Sequence, residues 1–537
     1  MWQESHNRLS INRIRIAAFF VLAVFLFIAF NLFTIQVWNS KKFQELSADF
    51  ILFQNTTYKR GTIYFSNIDG GSSTGASTKN GNLLYINPRV LEDSASAFLA
   101  LSSIFSLNEE DFFVKSQKKN DPFEILKRRL EDEDSQIVES LNIKGVGVTE
   151  DKWRFYPGGS TASHVLGFVR EDAGEWEGQY GVEKFYDKNL SSGNDVVLTI
   201  ESSVQNFAET ELKNFMERWG GVSGGIAVIN PQNGDILAMS AWPNFDPNKF
   251  QEEKSLKVFL NPFSEKIFEL GSIMKPITMA AGIDAGRITP NTEYFDKGFV
   301  EVSGKRLNNF DGKGRGLRNM MQVLEESLNT GAVFAMQKMG KETFKDYLLK
   351  FGLGQKTGVD LPGEVKNNLR NLDSGRDVEF ATASFGQGIA VTPISMISAL
   401  GAIANGGKVI KPHVKFLEND DSKFVSTAIS GKTSETISKM LVDVVDNTLA
   451  GGTAKIEGYS VAAKTGTAQI PDYQNGGYSD EFLHSFFGYF PAYDAKFLIF
   501  LFLEKPVGVR YASQTLTEPF LNMTKFLINY YTVPPDR

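Results

Sequence analysis

With 537 residues, a net charge of −7 and 22% charged side chains, the chain is too long for one ordinary core and reads as two or three domains. The acidic balance and the lack of a dense Lys/Arg patch argue against a nucleic-acid binder. The chain has no cysteine, which excludes disulfides and thiolate metal sites, and its four histidines (His6, His164, His413, His484) lack metal-ligand spacing.

In chain order, residues 1–15 form a short tail. The uncharged run from Ile16 to Phe33 continues to Trp38 and predicts a transmembrane anchor over 16–38, with Trp38 at the interface. No small-x-small cleavage site follows, so the segment reads as an anchor rather than a signal peptide. Arg8, Arg13 and Arg15 precede it against Lys41 and Lys42 after it, a slight bias toward an inside N-terminus. Residues 39–195 form a first region: a helix over Ser40–Phe50, a strand over Thr62–Phe65, and a Gly/Ser/Thr loop over Gly70–Thr78 whose composition cannot pack a core. Residues 92–142 read as a charged, solvated helical bundle, and the region reads as a pedestal or docking module.

From 196 the texture changes. A strand over Asp195–Ile200 and a helix over Ser202–Met216 precede two strands (Gly225–Ile229, Asp235–Ser240) around a Pro-Gln-Asn-Gly turn. Helical patterns fill 272–450, and strands return at Tyr459–Ala463, Ser485–Phe490 and Phe497–Leu503 before a helix over Pro519–Tyr530. This is an α+β domain in which strands from both ends join one sheet.

Its chemistry centres on Ser272 and Lys275 in Glu269-Leu270-Gly271-Ser272-Ile273-Met274-Lys275-Pro276. If a helix opens there, the i,i+3 spacing puts hydroxyl and amine on one face, and a serine needs such a partner to act as a nucleophile. Ser116 and Lys119 repeat the spacing in a charged run and read as a solvated helix face. Ser327-Leu328-Asn329 offers a second proton-handling group. The same pattern at Ser10, Ser106 and Ser140 shows how little an isolated match says, since helix caps produce it. Lys464-Thr465-Gly466-Thr467 follows an apolar strand, where an edge could pair an extended peptide and aim a lysine at its carboxylate. Gly466 would allow close approach there. Lys356-Thr357-Gly358 sits in turn chemistry and reads as a loop.

In this order the motifs resemble those of the penicillin-binding and β-lactamase superfamily of serine acyltransferases. The resemblance extends to the class B penicillin-binding proteins, through Arg60-Gly61-Thr62-Ile63, Arg154-Phe155-Tyr156-Pro157-Gly158 with His164-Val165-Leu166-Gly167, and Gly181-Val182-Glu183-Lys184. Leu198-Thr199-Ile200-Glu201 with Gln205, Pro243–Asn248, Phe385-Gly386-Gln387-Gly388 and Gly451-Gly452-Thr453-Ala454 match landmarks of the transpeptidase domain. Departures are Tyr64–Gly70 where the family has Asp-Arg-Asn-Gly, Leu270 in place of Pro, and Ala463 in place of Gly.

The resemblance implies a pedestal (dimerisation-type) domain over 39–195 and a transpeptidase domain over 196–537, a mixed sheet with helices on both sides. It implies a D,D-transpeptidase that cross-links peptidoglycan stem peptides, needs no cofactor or metal, and is trapped by β-lactams. Ser272 would be the nucleophile, Lys275 its base, Ser327 a proton relay and Asn329 an orienting group. Lys464, Thr465, Gly466 and Thr467 would bind the substrate carboxylate and, with the Ser272 N–H, the oxyanion. It further implies a single-pass protein of the bacterial cytoplasmic membrane with its catalytic domain outside. Its partners would be a SEDS-family glycosyltransferase and other divisome proteins. The spacing around Phe351–Gly354 and Leu361–Glu364 favours the division type over the elongation type. A β-lactamase or a non-catalytic divisome scaffold are the remaining rivals.

Overall fold

The computed structural model describes residues 2–34, 60–172, 175–417, 424–472 and 474–537. The expected helix over Ser40–Phe50 and residues 35–38 of the expected anchor lie outside the described residues. Helix α1 (Trp2–Phe33) runs unbroken through the apolar segment. Counted over the described residues alone, no helix is long and apolar enough to cross a membrane.

The first region is built on a five-stranded sheet. Strand β1 (Ile63–Ser66) pairs antiparallel with β2 (Ser72–Ile86). The stretch expected to be a loop is therefore the first half of a long strand. Its small residues suit that place: Ala76 is fully buried, and a Cβ on Gly75 would press on Phe65 and Leu166 at 3.1–3.2 Å. The segment expected as a solvated bundle folds as α2 (Ser94–Ser102), α3 (Glu109–Ser116), β3 (Glu124–Leu130) and α4 (Asp132–Ser140). They enclose their own core of Leu84, Ile86, Leu101, Phe105, Phe112 and Leu130. Apolar side chains scattered among charged ones supply most of this core, which is why composition hid it. Strand β4 (Val146–Phe155) closes this part against β2.

Three distant motifs of this region meet on one carboxylate. Glu183, with no exposed surface, accepts from Arg60 Nε at 2.6 Å, Arg154 Nε at 2.7 Å and the Tyr156 hydroxyl at 3.3 Å. Arg60 also donates to the Glu183 carbonyl and Arg154 to that of Gly61. A buried charge survives only when paired and hydrogen-bonded.

Strand β5 (Val196–Glu201) adds to β1 in parallel, so the sheet of the first region runs past the 195/196 boundary read from the sequence. Ser66 Oγ donates to the Leu198 carbonyl and the Ser202 hydroxyl to Asn67 Oδ1, which puts the altered Tyr64–Gly70 stretch at the joint to the second region. There α5 (Ser202–Trp219), capped by Glu201, lies on a sheet of β6 (Ser223–Ile229), β7 (Ile236–Trp242), β8 (Ala462–Pro471), β9 (Tyr478–Phe490) and β10 (Phe497–Glu504). The order is β8-β9-β10-β6-β7, so strands from both ends do share one sheet, with β8 at its edge. Helices α6 (Lys275–Asp284), α7 (Asn329–Met339), α8 (Pro393–Ala404) and α9 (Gly431–Asp443) cluster together on the site side, with α10 (Thr517–Tyr530) packed with α5. One apolar core runs from Ile63 and Val165 through Phe245 and Phe259 to Ile273 and Met279.

Replacing Glu183 by Gln removes the anion that two buried arginines share and leaves Arg60 with Asp187 alone. The expected loss is about 3–5 kcal/mol of stability, read by denaturant unfolding. Lys184→Gln, which breaks the exposed Lys184–Glu177 pair, should leave the unfolding midpoint nearly unchanged.

Candidate active site

Ser272 lies in a 3₁₀ turn, Gly271–Met274, that runs directly into α6. In such a turn residues three apart eclipse one another, so Ser272 and Lys275 share a side, as their spacing requires. Pro276 falls in the first turn of α6, where a missing N–H costs nothing. Every residue from Lys275 to Gly282 is buried, which fixes the axis carrying the lysine.

Around the turn the chain is packed to backbone contact. The Gly271 N–H donates to the Gly386 carbonyl at 3.1 Å, and a Cβ on Gly386 would lie 2.1 Å from the Gly271 oxygen. On the other side a Cβ on Gly466 would meet Ser485 Oγ at 2.3 Å and the Leu270 carbonyl at 2.7 Å. Gly466 thus brings its strand against the serine turn; the room it leaves is filled by protein and not by ligand. Ser485 Oγ donates to the Leu270 carbonyl at 2.7 Å, pinning the residue before Gly271. Leu270 and Ala463, the two departures beside the chemistry, are both buried and displace none of these groups.

Ser327 and Lys464 reach the same point from other elements. Lys275 Nζ donates to the Ser327 carbonyl at 2.6 Å and to its hydroxyl at 3.2 Å. Lys464 Nζ donates to that hydroxyl at 3.0 Å and to the Thr465 carbonyl at 3.1 Å. Lys464-Thr465-Gly466-Thr467 lies inside β8 rather than after it, on the free edge of the sheet. Alternation puts Lys464 and Gly466 on one face and the half-buried Thr465 and Thr467 on the other. Thr467 Oγ1 accepts from the Ala512 N–H at 3.0 Å. Asn329 directs its amide nitrogen to the Asn308 carbonyl at 2.9 Å, not to Lys275, whose bonds go to Ser327.

Both lysines are fully desolvated. Burial, and then the neighbouring Lys464 charge, hold Lys275 well below the ordinary lysine range. Burial alone brings Lys464 down to about 7.

The two decoys separate on structure. Helix α3 ends at Ser116, whose Oγ donates to the Phe113 carbonyl, while Lys119 lies beyond the helix and donates to the carbonyls of Pro88 and Leu91. Ser116 is buried, so this is no solvated face, and the pair shares no helix face. At Lys356-Thr357-Gly358 the Thr357 N–H and hydroxyl and the Gly358 N–H all donate to Glu364, which closes a loop. His164, His413 and His484 each bond to a backbone carbonyl, His413 also to Asp235 and His484 to Thr515. Ser485 is the contributor that sequence reading passes over, because only the sheet register brings it beside Leu270.

The family model of the penicillin binding protein transpeptidase domain matches residues 224–524, and that of the penicillin-binding protein dimerisation domain matches 56–214. Stage V sporulation protein D of Bacillus subtilis is 32% identical, across 95% of this chain and 84% of that protein. Peptidoglycan D,D-transpeptidase FtsI of Buchnera aphidicola subsp. Schizaphis graminum is 27% identical, across 85% of this chain and 84% of that one. The crystal structure of penicillin binding protein 2X from Streptococcus thermophilus shares the fold, with a TM-score of 0.71 at 22% identity over 88% of this chain and 79% of that one. With both family domains matched and a relative spanning nearly its whole length, the chain belongs to the class B penicillin-binding proteins.

Proposed function

We infer how this class B penicillin-binding protein, a serine-type peptidoglycan D,D-transpeptidase, carries its chemistry. Ser272 accepts the acyl group, and Lys275, Ser327 and Lys464 handle the protons and the substrate charge. The observation that carries this reading is the meeting of two buried lysines on the Ser327 hydroxyl, one of them, Lys275, placed one turn after Ser272.

Neutral Lys275 takes the Ser272 proton as Oγ attacks the carbonyl of the penultimate D-Ala. The Oγ–C bond forms, the peptide C–N bond breaks, and the proton passes through Ser327 to the departing D-Ala amine. An amine on a neighbouring stem then attacks the ester. Its proton returns along the same route, and Ser272 is released. The N–H groups of Ser272 and Thr467 face the oxyanion, an interaction typically worth about 3–4 kcal/mol. Lys464, Thr465 and Thr467 take the terminal carboxylate. Because Thr467 Oγ1 already accepts from Ala512, its own hydrogen is free to donate. Asn329 spends its amide nitrogen on Asn308 and keeps its carbonyl oxygen for the substrate amide. β8 is an edge strand that an extended stem peptide can join.

We further propose that 1–15 is a cytoplasmic tail and that 16–38 anchors the protein once in the bacterial cytoplasmic membrane, with 39–195 and 196–537 outside as pedestal and transpeptidase domains. Large side chains from Ile16 to Phe33 are 50–72% exposed on all sides of α1, the pattern of a helix that meets lipid rather than a core. At about 1.5 Å per residue the uncharged run approaches the thickness of a bilayer core. The proposed role is septal, with a SEDS-family glycosyltransferase and other divisome proteins as partners; the spacing of the Leu361–Glu364 turn supports it. A second reading, wall synthesis during sporulation, is favoured by the 32% identity to stage V sporulation protein D. Depleting the protein and scoring filaments, round cells or failed spores separates these from an elongation role.

Labelled penicillin should acylate the wild-type protein promptly and stably, and Ser272→Ala should abolish labelling. Rapid turnover of the label would instead indicate a β-lactamase, and no labelling a scaffold. The pH profile has a worked sign. Lys275 accepts a proton only when neutral, so the acylation efficiency should fall as acid protonates it. Lys464 must be charged to draw a carboxylate, so efficiency should fall again above about pH 7. A flat profile over pH 5–9 (stopped-flow penicillin acylation) would contradict the assignment.

A further inference from the structure

Ser327 stands at a backbone position that suits glycine. The helix Met320–Glu325 ends with the Leu328 N–H donating to the Val323 carbonyl and the Ser327 N–H to that of Leu324. This is the paired closure of a Schellman end, whose left-handed residue is usually Gly. Ser327 takes that place with φ +53, a conformation that an L side chain strains to adopt. Directly afterwards α7 begins at a residue, Leu328, whose side chain cannot cap a helix. A strained serine between two helix ends, one of them uncapped from within, needs support from outside.

That support comes from a lobe over 293–319, two short antiparallel ribbons: Glu293–Asp296 with Gly316–Asn319, and Phe299–Val302 with Lys305–Asn308. It grips the chain on both sides of Ser327. Beyond it, Asn309 Oδ1 accepts from the Thr330 N–H at 3.2 Å and so supplies the missing cap from a distance. Asp296, 1% exposed, accepts from Thr330 Oγ1 at 2.8 Å, from Asn309 Nδ2 at 3.0 Å and from the Arg315 N–H at 2.9 Å. Its charge stands at the positive end of α7. The Tyr294 hydroxyl lies 3.0 Å from Thr330 Oγ1. Before Ser327, the Glu326 carboxylate receives Arg318 Nε at 2.6 Å and Arg315 Nε at 3.2 Å.

We propose that the 293–319 lobe is a clamp that holds Ser327 in its left-handed conformation at the meeting point of Lys275 and Lys464, with Asp296, Asn309 and Arg318 as positioning residues for proton transfer. The proposal rests on the role given to Ser327 above. Loosening the clamp displaces the Ser327 hydroxyl without touching Ser272, and misplacement of a reacting group by about 1 Å can cost on the order of a hundredfold in rate.

The test is a double-mutant cycle on penicillin acylation by the full-length, detergent-solubilised protein. Asp296→Asn and Arg318→Gln, made separately, should each slow acylation by roughly ten- to a hundredfold. In a Ser327→Ala background neither should slow it further, because the group they position is gone. A structural defect would slow both backgrounds alike. Equal losses in the two backgrounds, or no loss in the first, would overturn the proposal. Arg318→Gln, at a half-buried pair, keeps the test decisive if Asp296→Asn does not fold. Failure of the underlying reading looks different: Ser327→Ala would then acylate at the parental rate.

Discussion

Two ammonium groups buried on one hydroxyl, with no carboxylate hydrogen-bonded to either among the described residues, constrain everything built around them. Two unit charges about 4 Å apart repel by about 4 kcal/mol at the effective dielectric of a protein, and each loses hydration besides. The lowest-energy response is to release a proton, which turns a lysine into a base at neutral pH. Such a site exists only if its surroundings are too rigid to let the lysines turn outward to water. The closed packing of the Gly271 turn against Gly386 and β8, and the complete burial of the start of α6, supply that rigidity.

The same logic of charge held by packing organises the first region, with opposite outcome. Glu183 gathers two arginines, opposite to it in charge, into buried, hydrogen-bonded ion pairs that tie three motifs together. The two regions are joined by more than a linker. Strand β5 lies in the first sheet and hydrogen-bonds through Thr199 to Val414 of the second region, and Asn248 exchanges two hydrogen bonds with the Tyr156 backbone.

Legibility in the sequence followed the range of each interaction. Strands β6, β7 and β10 read clearly because their side chains are mostly apolar, whereas the polar parts of β8 and β9 hid their full length; the Ser272–Lys275 spacing read clearly because it is local. The Gly70–Thr78 stretch did not, since its strand state comes from pairing with β1 and β4 and not from its own side chains. The charged 92–142 segment concealed a small core for a related reason: a few apolar side chains among many charged ones decide its burial. Within the site, sequence order suggested that Ser327 and Lys464 join Lys275. Ser485, Asp296 and Asn309 stayed invisible, because only tertiary contact brings them to the residues they support.

One feature of the sheet bears on what holds its halves together. Strand β10, close to the end of the chain, is not an edge but the central strand, seated between β9 and the early strand β6. Without Phe497–Glu504 the strand pair that carries Lys464 and the strand pair beneath α5 share no backbone ladder. Any truncation that removes this strand therefore takes the middle out of the sheet and parts the strand of Lys464 from the strands that α5 covers.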